Sequence, residues 1–241
     1  MLPTSTPSAV GVVLAAGMGT RVGADGNKAY LQLAGRSMVS WSVDAVSHTR
    51  GIGRTVLVFR RGERELVSST IAAELPSAPV ELVEGGDTRH GSEWNVLRYL
   101  TADIESGAID VVLIHDAARP LAGRAMMSSA LSTAREFGGA LPAIPAHDVV
   151  RAPTDGKTDG ISAAGPLVRV QTPQAFRAAP LLEAYRRAEA DGFEGTDTSS
   201  CVERFTDVDV HVFDGAATNL KVTYPRDVLV AARLLELGQR P

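Results

Sequence analysis

The 241-residue chain has one cysteine, Cys201, so no disulfide can close within it and a reducing compartment is expected. No apolar run approaches the roughly 20 residues that span a bilayer, which excludes a membrane-spanning helix. Residues 1–8 are polar and Pro-rich and lack the apolar centre of a signal peptide; they read as a disordered tail, and a cytoplasmic location is the expectation. Positive charge is not in excess. Lys and Arg number 24 against 28 Asp and Glu, a net charge of −4, which argues against a nucleic-acid binder and requires any functional cations to be focused locally. Internal repeats, low-complexity tracts and linkers are missing, so residues 1–241 are expected to form one domain, as the length allows.

Two further absences concern the glycine turn Gly17-Met18-Gly19, which follows the apolar run Val12-Val13-Leu14. The third glycine of a dinucleotide fingerprint would fall at Val22, and no Gly-Lys-Ser/Thr of a P-loop follows. What is there is a short buried strand, a turn whose glycines bare backbone N–H groups, and a loop carrying Arg21 and Lys28. Arg offers phosphate a planar fork and Lys a compact point charge. Taken singly, Arg21 reads equally as a surface ion pair and Lys28 as solvated surface.

Further strands are predicted at Thr55–Phe59, Val80–Val83, Val111–Ile114, Leu141–Pro145 and Val208–Phe213, with another strand-like piece at Asn219–Thr223. Helices are predicted from a Ser37 cap to about His48, at Glu63–Leu75, from Gly91-Ser92 to about Leu100, at Ala122–Phe137, Pro180–Ala190 and Pro225–Leu237, with a short helix after Asp197. The alternation implies an α/β fold: a mostly parallel twisted sheet with helices on both faces. Between about 147 and 170 the turn signals Asp155-Gly156-Lys157 and Asp159-Gly160 separate short apolar pieces, as in a protruding β-arm. Ligands of such sheets sit outside the carboxyl ends of the strands. Three strands end there in suggestive loops, 17–28, 85–92 and 116–119.

The motifs Ala15-Ala16-Gly17-Met18-Gly19-Thr20-Arg21, Lys28, Gly85-Gly86-Asp87-Thr88-Arg89-His90-Gly91-Ser92, His115-Asp116-Ala117-Ala118-Arg119-Pro120, Gln171-Thr172-Pro173-Gln174 and Lys221-Val222-Thr223 occur in this order. In order and spacing the chain resembles the 2-C-methyl-D-erythritol 4-phosphate cytidylyltransferase family, and next the related ribitol 5-phosphate cytidylyltransferases. The resemblance implies a Rossmann-like nucleotidyltransferase fold and transfer of CMP from CTP to a polyol phosphate. Charge then grows on the phosphate oxygens, and the family's pattern gives Arg21 and Lys28 the task of stabilising it, with Lys221 positioning the acceptor phosphate. It makes Ala15, Ala16, Gly17, Gly19, Gly86, Asp87, Ser92 and Ala117 the nucleotide-binding set, and Asp116, Arg119, Thr172 and Thr196 the acceptor-binding set. Mg²⁺ is the implied cofactor, carried mostly by substrate phosphates and water, and Asp116 is the nearest candidate ligand. The resemblance also implies a homodimer joined through the arm.

Several of these residues have a plainer reading: Asp87 as a turn, Ser92 and Thr196 as helix caps, Arg119 in a structural ion pair, Thr172 as a turn before Pro173. His115 reads as structural, since a phosphate monoester needs no general base, and Cys201 as a packed thiol. The chain departs from the family's pattern at Asn27 and Ala29 on either side of Lys28, and at Val149, Ala164 and Thr198-Ser199 on the acceptor side. The missing proline at Asn27 predicts a less stiff loop. Ala164 stands where the family has the arginine that grips the acceptor phosphate from the neighbouring subunit, with Arg151, Lys157 and Arg169 as nearby cations. Two alternatives therefore stand beside methylerythritol phosphate: another acceptor such as ribitol 5-phosphate, or a nucleotide-binding paralogue without activity.

Overall fold

The computed structural model describes residues 8–17, 26–147, 149 and 165–238. Gly19, Arg21, Arg151, Lys157, Ala164 and most of the expected arm lie outside the described residues.

The first strand, β1 (Ser8–Leu14), is almost wholly buried, and its side chains divide between two cores. It begins at Ser8, so the last residue of the expected tail belongs to the sheet. A hairpin of β2 (Gln32–Leu33) and β3 (Arg36–Ser37) leads into α1 (Met38–Ser47), whose first turn is capped by the Ser37 hydroxyl as predicted. Then follow β4 (Ile52–Phe59), α2 (Arg64–Glu74), β5 (Val80–Glu84), α3 (Arg89–Glu105), β6 (Ile109–Asp116), α4 (Gly123–Phe137) and β7 (Gly138–Pro145). β8 (Val168–Val170), β9 (Gln174–Arg177), α5 (Ala178–Asp191), α6 (Thr198–Phe205), β10 (Asp209–Asp214) and α7 (Pro225–Gly238) complete the chain.

The sheet order is β10-β7-β9-β6-β1-β4-β5, with β8 paired to β7. Helices α1, α2 and α4 contribute to the core on one face, and α3, α5 and α6 to that on the other. β1, β4, β5 and β6 run parallel, as does the β7–β10 pair. β9 and β8 run antiparallel to their neighbours, so the sheet is mixed and mostly parallel.

Three expectations are corrected. Thr88, not Gly91 or Ser92, opens α3: its hydroxyl accepts from the Gly91 N–H at 3.0 Å. The segment 219–223 joins no strand ladder. Among the contacts that hold it to the domain are the Val222 N–H donating to the Ala118 carbonyl at 2.8 Å and the fully buried Val222 side chain in a third cluster with α7. β9, a strand the sequence did not suggest, fills the gap between β6 and β7.

Candidate functional site

The chain passes from β1 to β4 and β5 on one side and returns to β6 on the other, so the strand order reverses between β1 and β6. Their carboxyl ends coincide: Leu14 pairs with Asp116, and the ladder runs on through Ala117 N–H to Leu14 carbonyl at 3.0 Å. A crevice at such a switch point is where open α/β sheets bind ligands. A cavity of about 350 Å³ lies there. It is lined by Ala15, Ala16, Gly17, Lys28, Gly86, Asp87, Ser92, Asp116, Ala117 and Lys221 among the predicted residues, and by Asn27 and Arg89 besides.

Its nucleotide side is built from tight backbone approaches. The space a Cβ would take at Gly17 is open, whereas a Cβ at Gly85 would come within 2.5 Å of Ala16 Cβ, and one at Gly86 within 2.8 Å of the Gly91 backbone. Glycine at 85 therefore lets the loop after β5 close onto the loop after β1, and glycine at 86 lets the first turn of α3 close onto that same β5 loop. Ser92 fastens this arrangement. Its Oγ accepts from the Gly86 N–H at 3.1 Å and donates to the Thr88 carbonyl at 2.9 Å, so it shapes the loop and does not cap the helix. Asp87 is almost fully exposed at the cavity rim.

Asn27 shows how this chain manages without the proline. Its φ of −78° lies near the value proline would impose. Its side chain donates to the Ala15 carbonyl at 2.7 Å and to Glu63 at 2.8 Å, and accepts from the Ala29 N–H at 3.0 Å. Hydrogen bonds thus take the place of the ring in fixing the turn that carries Lys28. Lys28 Nζ donates across the cavity to the Val222 carbonyl at 2.9 Å, joining the first loop to the segment beside Lys221.

On the other side, Asp116 ends β6 with both carboxylate oxygens engaged. Lys221 Nζ lies 2.7 Å from Oδ2 and Arg89 Nη2 lies 3.5 Å from Oδ1. Burial would raise the Asp116 pKa, but Arg89, Lys221 and Arg119 outweigh it and hold the carboxyl well below the usual range. Asp116 is therefore an anion at any working pH.

Behind it, the Asp116 N–H donates to Thr172 Oγ1 at 3.1 Å. His115 Nε2 faces the Arg119 carbonyl at 3.1 Å, which can only accept, so the proton sits on Nε2 and Nδ1 accepts from the Thr172 hydroxyl at 3.1 Å. Burial pushes His115 down to about 4 and keeps it neutral.

Thr172, Arg119 and Thr196 do not line the cavity. Thr172 is a buried brace for Asp116. Arg119 Nη1 turns to the Asn219 carbonyl at 2.7 Å, and its buried Nε has no hydrogen-bond partner among the described residues. Thr196 is exposed, and the cap of α6 is the next residue, Asp197. Val149 is exposed, and Arg169 lies on β8 opposite Ile144. Cys201 is fully buried, and burial raises its thiol to about 12, as befits a packed side chain. Two residues at the site were missed. Arg89 sits inside a glycine-rich motif without marking its role, and Glu93 has one signal, a charge at helical spacing from the apolar Val96, Leu97, Leu100 and Ile104.

A mostly parallel sheet whose switch-point crevice joins a glycine turn, a helix N-terminus and opposed cations defines a nucleotide-binding α/β protein of Rossmann-like build. The IspD family model, 2-C-methyl-D-erythritol 4-phosphate cytidylyltransferase, matches residues 9–237. A relative of that name from Solibacter usitatus is 37% identical over 92% of this chain and 93% of its own. Another from Cereibacter sphaeroides is 35% identical over 94% and 96%. Among solved structures, 4-diphosphocytidyl-2C-methyl-D-erythritol synthase from Anaerococcus prevotii superposes with a TM-score of 0.81 at 25% identity, covering 95% of this chain and 96% of that one. The 2-C-methyl-D-erythritol 4-phosphate cytidylyltransferase from Thermus thermophilus does so with 0.70 at 28% identity, covering 96% and 100%. The chain belongs to the 2-C-methyl-D-erythritol 4-phosphate cytidylyltransferase family.

Proposed function

We propose that this protein transfers CMP from CTP to 2-C-methyl-D-erythritol 4-phosphate and releases pyrophosphate, a step of isoprenoid precursor synthesis. The observation that carries the reading is one cavity that joins the Ala15–Gly86 nucleotide cleft to an ionised Asp116 paired with Lys221. An oxygen of the acceptor phosphate attacks the α-phosphorus of CTP; that O–P bond forms as the bond to the bridging oxygen of pyrophosphate breaks. Lys28 and Arg21 meet the charge that grows on the phosphate oxygens. Lys221, held at the rim by Asp116, draws the acceptor phosphate into line. No side chain needs to take a proton, because the phosphate monoester is already an anionic nucleophile. His115 is unsuited to that task, since both ring nitrogens are occupied.

A backbone edge at Ala15, Ala16 and Gly86 separates cytosine from uracil, whose exocyclic position accepts where cytosine's donates. Mg²⁺ fits as an ion brought by the triphosphate, adding positive charge against the leaving pyrophosphate. The described residues offer no cluster of three or more acidic, His or Cys side chains to hold it, and Asp116 alone stands ready as an anion. The protein acts in the cytoplasm as a homodimer joined through the region 147–170.

Pyrophosphate release from CTP tests the reading, with methylerythritol phosphate and ribitol 5-phosphate offered separately. The expected outcome is Mg²⁺-dependent release with methylerythritol phosphate, CTP preferred over UTP, and turnover about 100- to 1000-fold lower in Lys28→Ala. Activity with ribitol 5-phosphate alone would transfer the protein to that acceptor, the direction in which Val149 and Ala164 point. Nucleotide binding without release from either would leave a binding paralogue.

A further inference from the structure

α3 carries a buried carboxylate that the chemistry above does not use. The Glu93 side chain is 1% exposed. Its Oε1 accepts from Arg89 Nη1 at 2.7 Å, one helical turn away, and from the Thr198 hydroxyl at the start of α6. Its Oε2 accepts from the Tyr185 hydroxyl on α5 at 2.7 Å. Three helices converge on one anion. Burying an ion pair in this way gives little net stability compared with an apolar residue of similar size. Stability alone therefore does not account for Glu93.

The other end of the guanidinium supplies a reason. Arg89 Nη2 faces the cavity and lies 3.5 Å from Asp116 Oδ1, while Lys221 holds Oδ2 at 2.7 Å. The two oxygens of Asp116 are thus gripped by two cations from different elements. One of those cations is itself fixed, because Nη1 is bound to Glu93 and also lies 3.4 Å from Thr198 Oγ1. The planar fork then leaves Nη2 a single direction in which to point.

We propose that Glu93 is a positioning residue for the acceptor side of the site: by anchoring one nitrogen of Arg89 it aims the other at Asp116 and sets the plane of that carboxylate. This rests on the reading that Asp116 and Lys221 meet the acceptor. Glu93 touches no substrate, and its effect passes through Arg89.

Glu93→Gln keeps the size and an oxygen for Tyr185 and removes the charge that holds Arg89. It should raise the acceptor KM about three- to tenfold and leave the CTP Kd within about twofold. Arg89→Lys should raise the acceptor KM in the same range, and the double variant should add less than about twofold to either. Tyr185→Phe removes only the Oε2 bond; it should lower Tm and leave the acceptor KM within about twofold. An acceptor KM unchanged in Glu93→Gln, a CTP Kd shifted as far as the KM, or a Tyr185→Phe variant that reproduces the KM rise would each overturn the proposal. If Glu93→Gln does not fold, Arg89→Lys carries the same kinetic test. If the parent protein releases no pyrophosphate, the functional reading fails, and the crystal structure of Glu93→Gln then decides separately. A guanidinium swung away from Asp116 supports positioning by Glu93, and one still 3.5 Å from Oδ1 refutes it.

Discussion

Acidification should weaken this fold through His115 before it reaches the carboxylates. The imidazole is fully buried, its Nε2 proton is spent on the Arg119 carbonyl and its Nδ1 receives the Thr172 hydroxyl. A second proton would have to displace that hydroxyl bond and bring a charge into the interior, which is why burial holds the group at about 4 against 6.5 in an unfolded chain. Protons therefore bind the unfolded state preferentially between those values. The contribution to stability is complete above about pH 6.5, shrinks as pH falls towards 4, and changes no further below. At about 1.36 kcal/mol per pH unit the whole gap is worth roughly 3 kcal/mol, of which about 2 kcal/mol is lost between pH 7 and pH 5. For a domain of this size that is a fall in Tm of about 4–8 °C. His90, also pushed down by burial, acts in the same sense, and Glu93, whose carboxyl burial raises, acts in the opposite one. Both remain in His115→Gln, so the difference between parent and variant isolates His115. Calorimetry or fluorescence melts at pH 5, 6 and 7 should show the variant's Tm falling less steeply than the parent's. Equal slopes would refute the buried neutral imidazole and the proton assignment built on it.

Gly86→Ala forces a Cβ to within 2.8 Å of the Gly91 backbone and must push the first turn of α3 away from the loop after β5 that lines the cavity. About 1–3 kcal/mol of stability should be lost and CTP bound at least about fivefold more weakly by calorimetric titration; unchanged affinity would remove this contact from the nucleotide site. Thr172→Val strips the Asp116 N–H and His115 Nδ1 of their shared partner, at about 1–3 kcal/mol for each buried group left unpaired, whereas Thr172→Ser restores the hydroxyl. Thermal melts of the two variants should therefore differ by several degrees, and coincident melts would show that the hydroxyl is not the brace described.

Sequence alone determined the elements whose signal is local. The apolar run ending at Leu14, the Ser37 cap and the strand through Val111–Ile114 are legible because a buried strand must be apolar throughout and a helix end must find acceptors for its N–H groups. The glycines at 17 and 86, Lys28 and Asp116 are legible for a related reason: the loops at strand ends carry the chemistry, and their residue types are few. Partners were not legible. Lys221 meets Asp116 across 105 positions of sequence, and Arg119 donates to the Asn219 carbonyl across 100. β9 is only four residues long, too short for any period to show, and it is a strand because β6 and β7 leave a gap that it fills. Glu93 is the plainest case. Its spacing to Val96, Leu97, Leu100 and Ile104 puts it on the buried stripe of α3, but the partners that make it an anchor appear only where α5 and α6 bring Tyr185 and Thr198 against it. A residue's own preferences are written in the chain, but the low-dielectric surroundings that make a charge pair matter exist only once distant elements have packed together.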